Sequence, residues 1–373
     1  KVETSKTTNS ITTTVTASKG TNNISKYYYS IDNGNTYKES TSNTYTFTNL
    51  KSGNYRIIVK VIDTNSIYSN IYVVNEKIES SQSQSQTLAE YVISQYNGVQ
   101  GNNNIYHHDG TLENGIDDGS YRYAGPSDTT NNFVCFGSDA TTCPTDNLYR
   151  IIGVFGDNVK LIKYDYATSD LLGTDGAYMG LSFEFFSELT NYKGSNLEKI
   201  GVYYITNEET LDSNELVTIN LNENFLKNIR TEWASKIFST TWKATGENFN
   251  GLVISPSDAY QIEVKNIDKN EEVGPYKIGL IYMTDYAFSV SPEYWTNKLS
   301  SYSNDFVDEN WMHMGLFEPL MISLVSGWTI NDDGAFSSID MSDCSSIRPS
   351  FYLNEDVNYV SGNGTQLDPI RIS

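Results

Sequence analysis

Histidine and cysteine are almost absent, with three of each in 373 residues. That leaves little material for zinc, haem or iron–sulfur chemistry, whose ligand sets draw on those side chains. Basic residues are also scarce: 25 Lys and Arg stand against 46 Asp and Glu, a net charge of −21. A nucleic-acid binder needs a basic footprint to displace counterions from phosphates, so no nucleic-acid partner is expected. The same balance disfavours anionic membrane surfaces, and no apolar run of about 18 residues is present to insert in a bilayer. The serine elbow G-x-S-x-G, the Walker loop and a G-x-G-x-x-G fingerprint opening a helix are missing as well.

What is present is enough to build a core. The chain is 38% hydrophobic, and its length suits two or three domains. Residues 79–86, ESSQSQSQ, carry no apolar side chain and alternate Ser with Gln, so 78–86 reads as a flexible linker. The charge changes across it. Residues 1–77 hold nine basic and five acidic residues, net +4, which leaves 16 basic and 41 acidic residues, net −25, for the remainder. The expected organisation is a β-sandwich over 1–77, the linker, and an acidic α+β head over 87–373.

The first part offers runs rich in Val, Ile, Thr and Tyr at 10–18, 24–32, 43–50, 54–63 and 69–75, separated by Gly and Asn turns. In the fourth run Tyr55, Ile57, Val59 and Val61 share one face by the two-residue period. Short strands at this spacing predict a small sandwich. The segment LKSGNY, 50–55, resembles the tyrosine corner of fibronectin type III and related immunoglobulin-like modules, and such modules usually act as spacers. In the second part, 87–96 has helical spacing, 148–156 and 158–167 form a hairpin at Gly156-Asp157, and 184–200 and 221–238 carry helix-compatible patterns. Residues 277–288 and 348–354 read as further strands.

Several segments, NLYRIIGVFGDNVKLIKYDYAT (147–168), FLKNIRTEWASKIFSTTWKATG (225–246), YKIGLIYMTDYAFSVSPEYW (276–295) and RPSFYLNEDVNYVSGNGTQLDPIRI (348–372), together resemble uncharacterised modular surface proteins of gut Firmicutes. Those proteins carry immunoglobulin-like repeats beside such a module. A more distant resemblance joins WMHMG (311–315), SGWTINDDGAF (326–336) and IRPSFYL (347–353) to the C-type-lectin-like fold, although MISLVSGWTI (321–330) departs from the related modules ahead of the Asp-Gly. The resemblance, with abundant Tyr, Asn, Ser, Thr and Gly, implies an extracellular protein of the bacterial surface. A start at Lys1 without Met fits a fragment of a larger anchored chain.

Cys135 and Cys143, eight positions apart, would close a small disulfide loop in an exported protein, leaving Cys344 outside it. His107-His108-Asp109 invites a metal reading, but its spacing matches no zinc motif, and packing explains it equally well. Acidic loops suit calcium better. Asp117 and Asp118, Asp170 with Asp175, and Asp332 and Asp333 supply hard oxygens, yet none follows the spaced calcium-loop pattern, and Asp and Gly make ordinary turns unaided. No cofactor other than calcium is expected. Among Glu184, Glu188, Asp285, Glu293 and Glu318, nothing marks a catalytic pair, so no enzymatic activity is expected. Twenty-eight tyrosines exceed the needs of a core. Tyr286, Tyr294, Trp295 and Tyr302, close to the polar stretch 297–305, are therefore the expected ligand-binding surface.

The function these readings favour is adhesin-like recognition of a host macromolecule, a mucin glycoprotein or a secretory immunoglobulin. A carbohydrate-active enzyme and a structural subunit of a surface layer or filament are the alternatives.

Overall fold

A computed structural model describes residues 1–7, 9–51, 53–78, 86–185, 191–205, 214–245, 253–265, 270–321, 328–338 and 344–373. They divide into two compact units, Lys1–Ser85 and Gln86–Ser373.

The first unit has seven strands: β1 (Val2–Lys6), β2 (Ile11–Val15), β3 (Ile24–Ser30), β4 (Lys38–Ser40), β5 (Thr44–Phe47), β6 (Gly53–Asp63) and β7 (Tyr72–Ile78). They form two antiparallel sheets, ordered β1-β2-β5 and β4-β3-β6-β7. Ile11, Val15 and Phe47 of one sheet and Tyr29, Ile57, Val59 and Ile78 of the other enclose one core. This is an immunoglobulin-like strand order, with the fourth strand paired to the third. Alternation along β2 buries Ile11, Thr13 and Val15 and turns Thr12 and Thr14 outward. The tyrosine corner forms as the sequence suggests: the Tyr55 hydroxyl donates to the Lys51 carbonyl at 2.7 Å. Ile78, read from the sequence as linker, instead closes β7 in the core. The rest of that linker, 79–85, lies outside the described residues.

The second unit opens with helix α1 (Leu88–Tyr96), which Thr87 and Glu90 start with a reciprocal capping box and which left-handed Asn97 ends. Its strands in chain order are β8 (Ile105–His107), β9 (Tyr121–Tyr123), β10 (Phe133–Cys135), β11 (Leu148–Phe155), β12 (Asn158–Lys163), β13 (Tyr178–Leu181), β14 (Gly201–Tyr204), β15 (Thr240–Thr245), β16 (Asn270–Tyr276), β17 (Glu318–Pro319), β18 (Trp328–Ile330), β19 (Phe336–Ser338), β20 (Cys344–Ser346), β21 (Ser350–Tyr352), β22 (Tyr359–Ser361) and β23 (Arg371–Ile372). The main sheet runs β21-β12-β11-β9-β8, with β10 also on β11. The unit also contains the small sheets β13-β14-β20, β15-β16, β17-β18-β19 and β22-β23. The expected β11–β12 hairpin is present, with Gly156 at φ +62° in its turn. β11 is buried along almost its whole length, which explains its near-continuous apolar sequence. A β-carbon on Gly153 would lie 2.3 Å from the Tyr121 carbonyl oxygen, so β9 can pair there only against glycine.

Three local expectations fail, and in each case tertiary contacts outweigh local pattern. Residues 277–288 are not one strand, because Met283–Ala287 forms a helical turn. Glu263 accepts the Met283 and Thr284 amides at 2.7 and 3.0 Å, and Asp285 accepts that of Tyr282 at 2.9 Å, so a remote carboxylate helps cap this turn. The pattern over 221–238 is broken by extended Ile229, and its first part continues the π-helix Leu216–Phe225. Asn222 ties that segment to the start of 277–288 by accepting the Lys277 and Ile278 amides and donating to the Ile278 carbonyl. Within 184–200 the described residues hold only the end of Ser182–Phe185 and the 3-10 turn Leu197–Lys199, with Tyr192 held to Asp165 at 2.7 Å. Among the described residues, no helix is long and apolar enough to cross a membrane.

Candidate binding groove

The disulfide Cys135–Cys143 pins the loop after β10. Gly137 at φ +91° turns that loop, Asn147 donates to the Phe136 carbonyl at 2.9 Å, and Arg230 reaches Asp139 at 2.6 Å. Arg371 of β23 ties it to the C-terminal hairpin through the Thr141 carbonyl at 2.9 Å. The loop between β22 and β23 is shaped by Gly362 and Gly364, both at positive φ, and by Asp368, which accepts the Asn363 amide at 3.1 Å.

Between these loops lies a depression of about 470 Å³, whose walls include Asp139, Thr141, Trp233, Val360, Leu367 and Arg371. Leu367 is 99% exposed and Val360 56%. Trp233 packs edge-on against Phe136 at 5.2 Å, closing the inner side. A second hollow of about 300 Å³, lined by Ser235, Lys236, Asn354 and Asp356 among others, shares Ser373 with the first. Hydroxyls, carboxylates and two cations around exposed aliphatic side chains suit a polar, polyhydroxylated ligand that also presents apolar faces.

The expected aromatic surface is corrected by burial. Tyr286, Trp295 and Tyr302 are core residues, no more than 2% exposed. Tyr302 donates to the Ala287 carbonyl at 2.9 Å, Trp295 to that of Val290 at 3.0 Å, and Tyr286 meets His313 Nδ1 at 3.2 Å. In this cluster the interior supplies the Tyr286 and Tyr302 hydroxyls with partners. Tyr294 is half-buried against Phe306 at 4.6 Å. No exposed platform joins the four.

The acidic loops serve as turns and ion pairs. Asp118 is held by Arg122 at 3.0 Å and Ser120 at 2.5 Å, so both its oxygens are engaged within the turn. Its neighbour Asp117 is exposed at φ +48° in the same turn. Asp333 accepts the Ala335 amide at 3.0 Å in the β18–β19 hairpin turn, with Asp332 beside it. Among the described residues, no three His, Cys, Asp or Glu side chains are grouped to hold a cation. The histidine pair divides: His107 lies 3.1 Å from Asp109 and stacks on Tyr121, whereas His108 is sealed against Phe288 and Trp295.

A set of buried charges was not legible from the sequence. Arg122 joins Asp118 to Asp285, Lys160 meets Asp285 at 2.5 Å, and Arg348 pairs with Glu318. Burial pushes Glu263 up to about 7 and the imidazoles of His108 and His313 down to about 3. Such shifts in an open cleft would mark catalysis. Here the three residues are at most 2% exposed, and none lines either hollow. Of the other acids considered from the sequence, Glu184 is exposed and accepts the Leu181 amide, Glu293 is exposed, and Glu188 lies outside the described residues.

No family model matches the chain, and no curated protein does. Several solved structures are similar to parts of it. The PKD1 domain of the Vibrio cholerae metalloprotease PrtV matches 21% of the chain over 94% of its own length, at 22% identity and TM-score 0.19. Fibronectin(III)-like modules of Clostridium thermocellum CbhA match 22% of the chain over their full length, at 18% identity and TM-score 0.18. A structure of carbohydrate-binding modules from the β-sandwich superfamily matches 44% of the chain over 54% of its own, at 14% identity and TM-score 0.20. At these TM-scores the likenesses carry no argument about ligand or activity. The immunoglobulin-like order of the first unit stands on its own strand pairing.

Proposed function

We propose that this chain is part of an extracellular bacterial surface protein that binds a glycan-bearing host macromolecule of the mucin type and has no catalytic activity. The sandwich serves as a spacer, and the groove beside the disulfide loop of the acidic unit is the recognition site. Recognition in this reading lies away from the aromatic cluster 286–302 and away from the acidic loops. The observation that carries the reading is the separation of the two kinds of chemistry. The strongly perturbed ionisable groups are locked inside, while the open groove offers hydroxyls, carboxylates and aliphatic contact. The resemblance of 311–315, 326–336 and 347–353 to the C-type-lectin-like fold, read from the sequence, supports this reading.

The test is binding of the full chain to mucin, to released mucin glycans and to secretory immunoglobulin, each with and without EDTA. Mucin and glycan binding that Leu367→Asp and Arg371→Ala weaken at least tenfold, with unchanged melting, supports the groove. Binding to immunoglobulin alone, or binding indifferent to both substitutions, overturns it. Loss in EDTA would restore calcium to the account.

A further inference from the structure

Lys160 and Asp285 lie 125 positions apart in sequence and 2.5 Å apart in space, both with side chains no more than 2% exposed. Lys160 comes from β12, between β21 and β11 in the main sheet, and Asp285 from the helical turn Met283–Ala287. Their walls are aromatic: the Lys160 ammonium sits 4.3 Å from the Tyr282 ring, 5.1 Å from Tyr352 and 5.4 Å from Trp242. Both groups are sealed from solvent, with side chains 0% and 2% exposed. Proximity removes the entropy cost that makes the bimolecular reaction slow.

Two neighbours bear on the carboxyl group. The Tyr282 amide donates to Oδ2 at 2.9 Å. Arg122 NH1 faces the other oxygen, Oδ1, at 3.5 Å and is a buried donor with no hydrogen-bond partner among the described residues. A donor waiting beside a carbonyl oxygen is the arrangement that stabilises charge developing there during attack at the carbon. The charge count also permits the reaction. Arg122 keeps Asp118 at 3.0 Å, so consuming Lys160 and Asp285 removes one charge of each sign and strands none.

We propose that Lys160 and Asp285 condense to an intramolecular isopeptide bond. Within the pair the ammonium passes one proton to the carboxylate, and the Nζ lone pair attacks Cγ. Charge gathers on Oδ1 opposite Arg122, a second proton moves from nitrogen to Oδ2, and Oδ2 leaves as water. Three ammonium hydrogens become one amide hydrogen and two in water, with no oxidant, reductant or cofactor required. Glu263, holding the Met283 and Thr284 amides, is a positioning residue for the turn that presents Asp285. The bond would staple the sheet to that turn and close the long chain segment between them.

Intact mass of the reduced, denatured full chain tests the proposal. The expected mass is one water below that of the sequence, with a branched peptide joining the segments of Lys160 and Asp285 in a proteolytic map. Lys160→Met should restore the full mass even if it folds poorly, because the measurement is made on denatured protein. A wild-type chain of full mass overturns the proposal. So does a water loss that persists in Lys160→Met or maps to other residues.

Discussion

Arg348 and Glu318 meet in the core of the second unit as a two-pronged ion pair, with Nε at 3.0 and 2.9 Å from the two carboxylate oxygens and NH2 at 2.6 Å from one of them. Arg348 also donates to the Met312 carbonyl at 2.7 Å, so one side chain joins β17 to the segment leading into β21. Their side chains are 2% and 3% exposed. Removing one partner leaves a buried charge uncompensated, at a cost of about 3–5 kcal/mol. Arg348→Met or Glu318→Leu alone should lower the urea midpoint strongly, and the double replacement should recover much of the loss.

Glu263 links stability to pH between about 4.5 and 7. Its folded value, about 7, lies above the ordinary 4.5 because burial disfavours the carboxylate, only partly offset by the amides of Thr284 and Met283. Between those two values the folded chain binds more protons than the unfolded one. Its contribution to stability is therefore greatest below about 4.5 and is lost as pH rises through about 7. The swing is on the order of 3 kcal/mol. Urea unfolding from pH 4.5 to 8 should show this decline in the wild type, and Glu263→Gln should flatten it.

His108 acts in the opposite direction. Burial chiefly, with Arg122 adding repulsion, holds its imidazole at about 3 against an ordinary 6.5, so the folded chain binds fewer protons in that window. The stability it contributes is complete above 6.5 and is lost as pH falls towards about 3. Neither ring nitrogen has a hydrogen-bond partner among the described residues. His108→Phe keeps the contacts with Phe288 and Trp295 and should shift the acid unfolding midpoint to lower pH, read by tryptophan fluorescence.

The disulfide should contribute about 2–3 kcal/mol through the unfolded chain it constrains. Thiol titration of the denatured chain without reductant should find two fewer thiols than after reduction, in keeping with the Cys135–Cys143 bond. Replacing both cysteines by serine should lower the melting temperature and loosen the groove wall at Ser138, Asp139 and Thr141. Weakened ligand binding beyond what the lost stability explains would place that wall in direct contact with ligand.

Much of the fold was legible because its causes are local. The tyrosine corner needs only Tyr55 four residues after Lys51, α1 needs only Thr87 and Glu90 at its start, and the β11–β12 hairpin needs only Gly156 between two apolar runs. The candidate site was less legible. Leu367 and Val360 are ordinary aliphatic residues whose exposure depends on what packs beside them, and the groove joins loops more than 200 positions apart through Arg371 and Thr141.

The aromatic surface was misread for a related physical reason. Tyr286, Trp295 and Tyr302 sit beside a polar stretch in sequence, but sequence cannot say whether carbonyls such as those of Val290 and Ala287 are near enough to satisfy them in a core. By itself, then, the sequence determined what short-range chemistry determines: strand periodicity, turns, helix caps, the disulfide spacing and the charge contrast between +4 and −25. Tertiary structure decided which polar groups are buried together. Desolvation and pairing depend on neighbours such as Lys160 and Asp285, which only the folded chain brings within 2.5 Å.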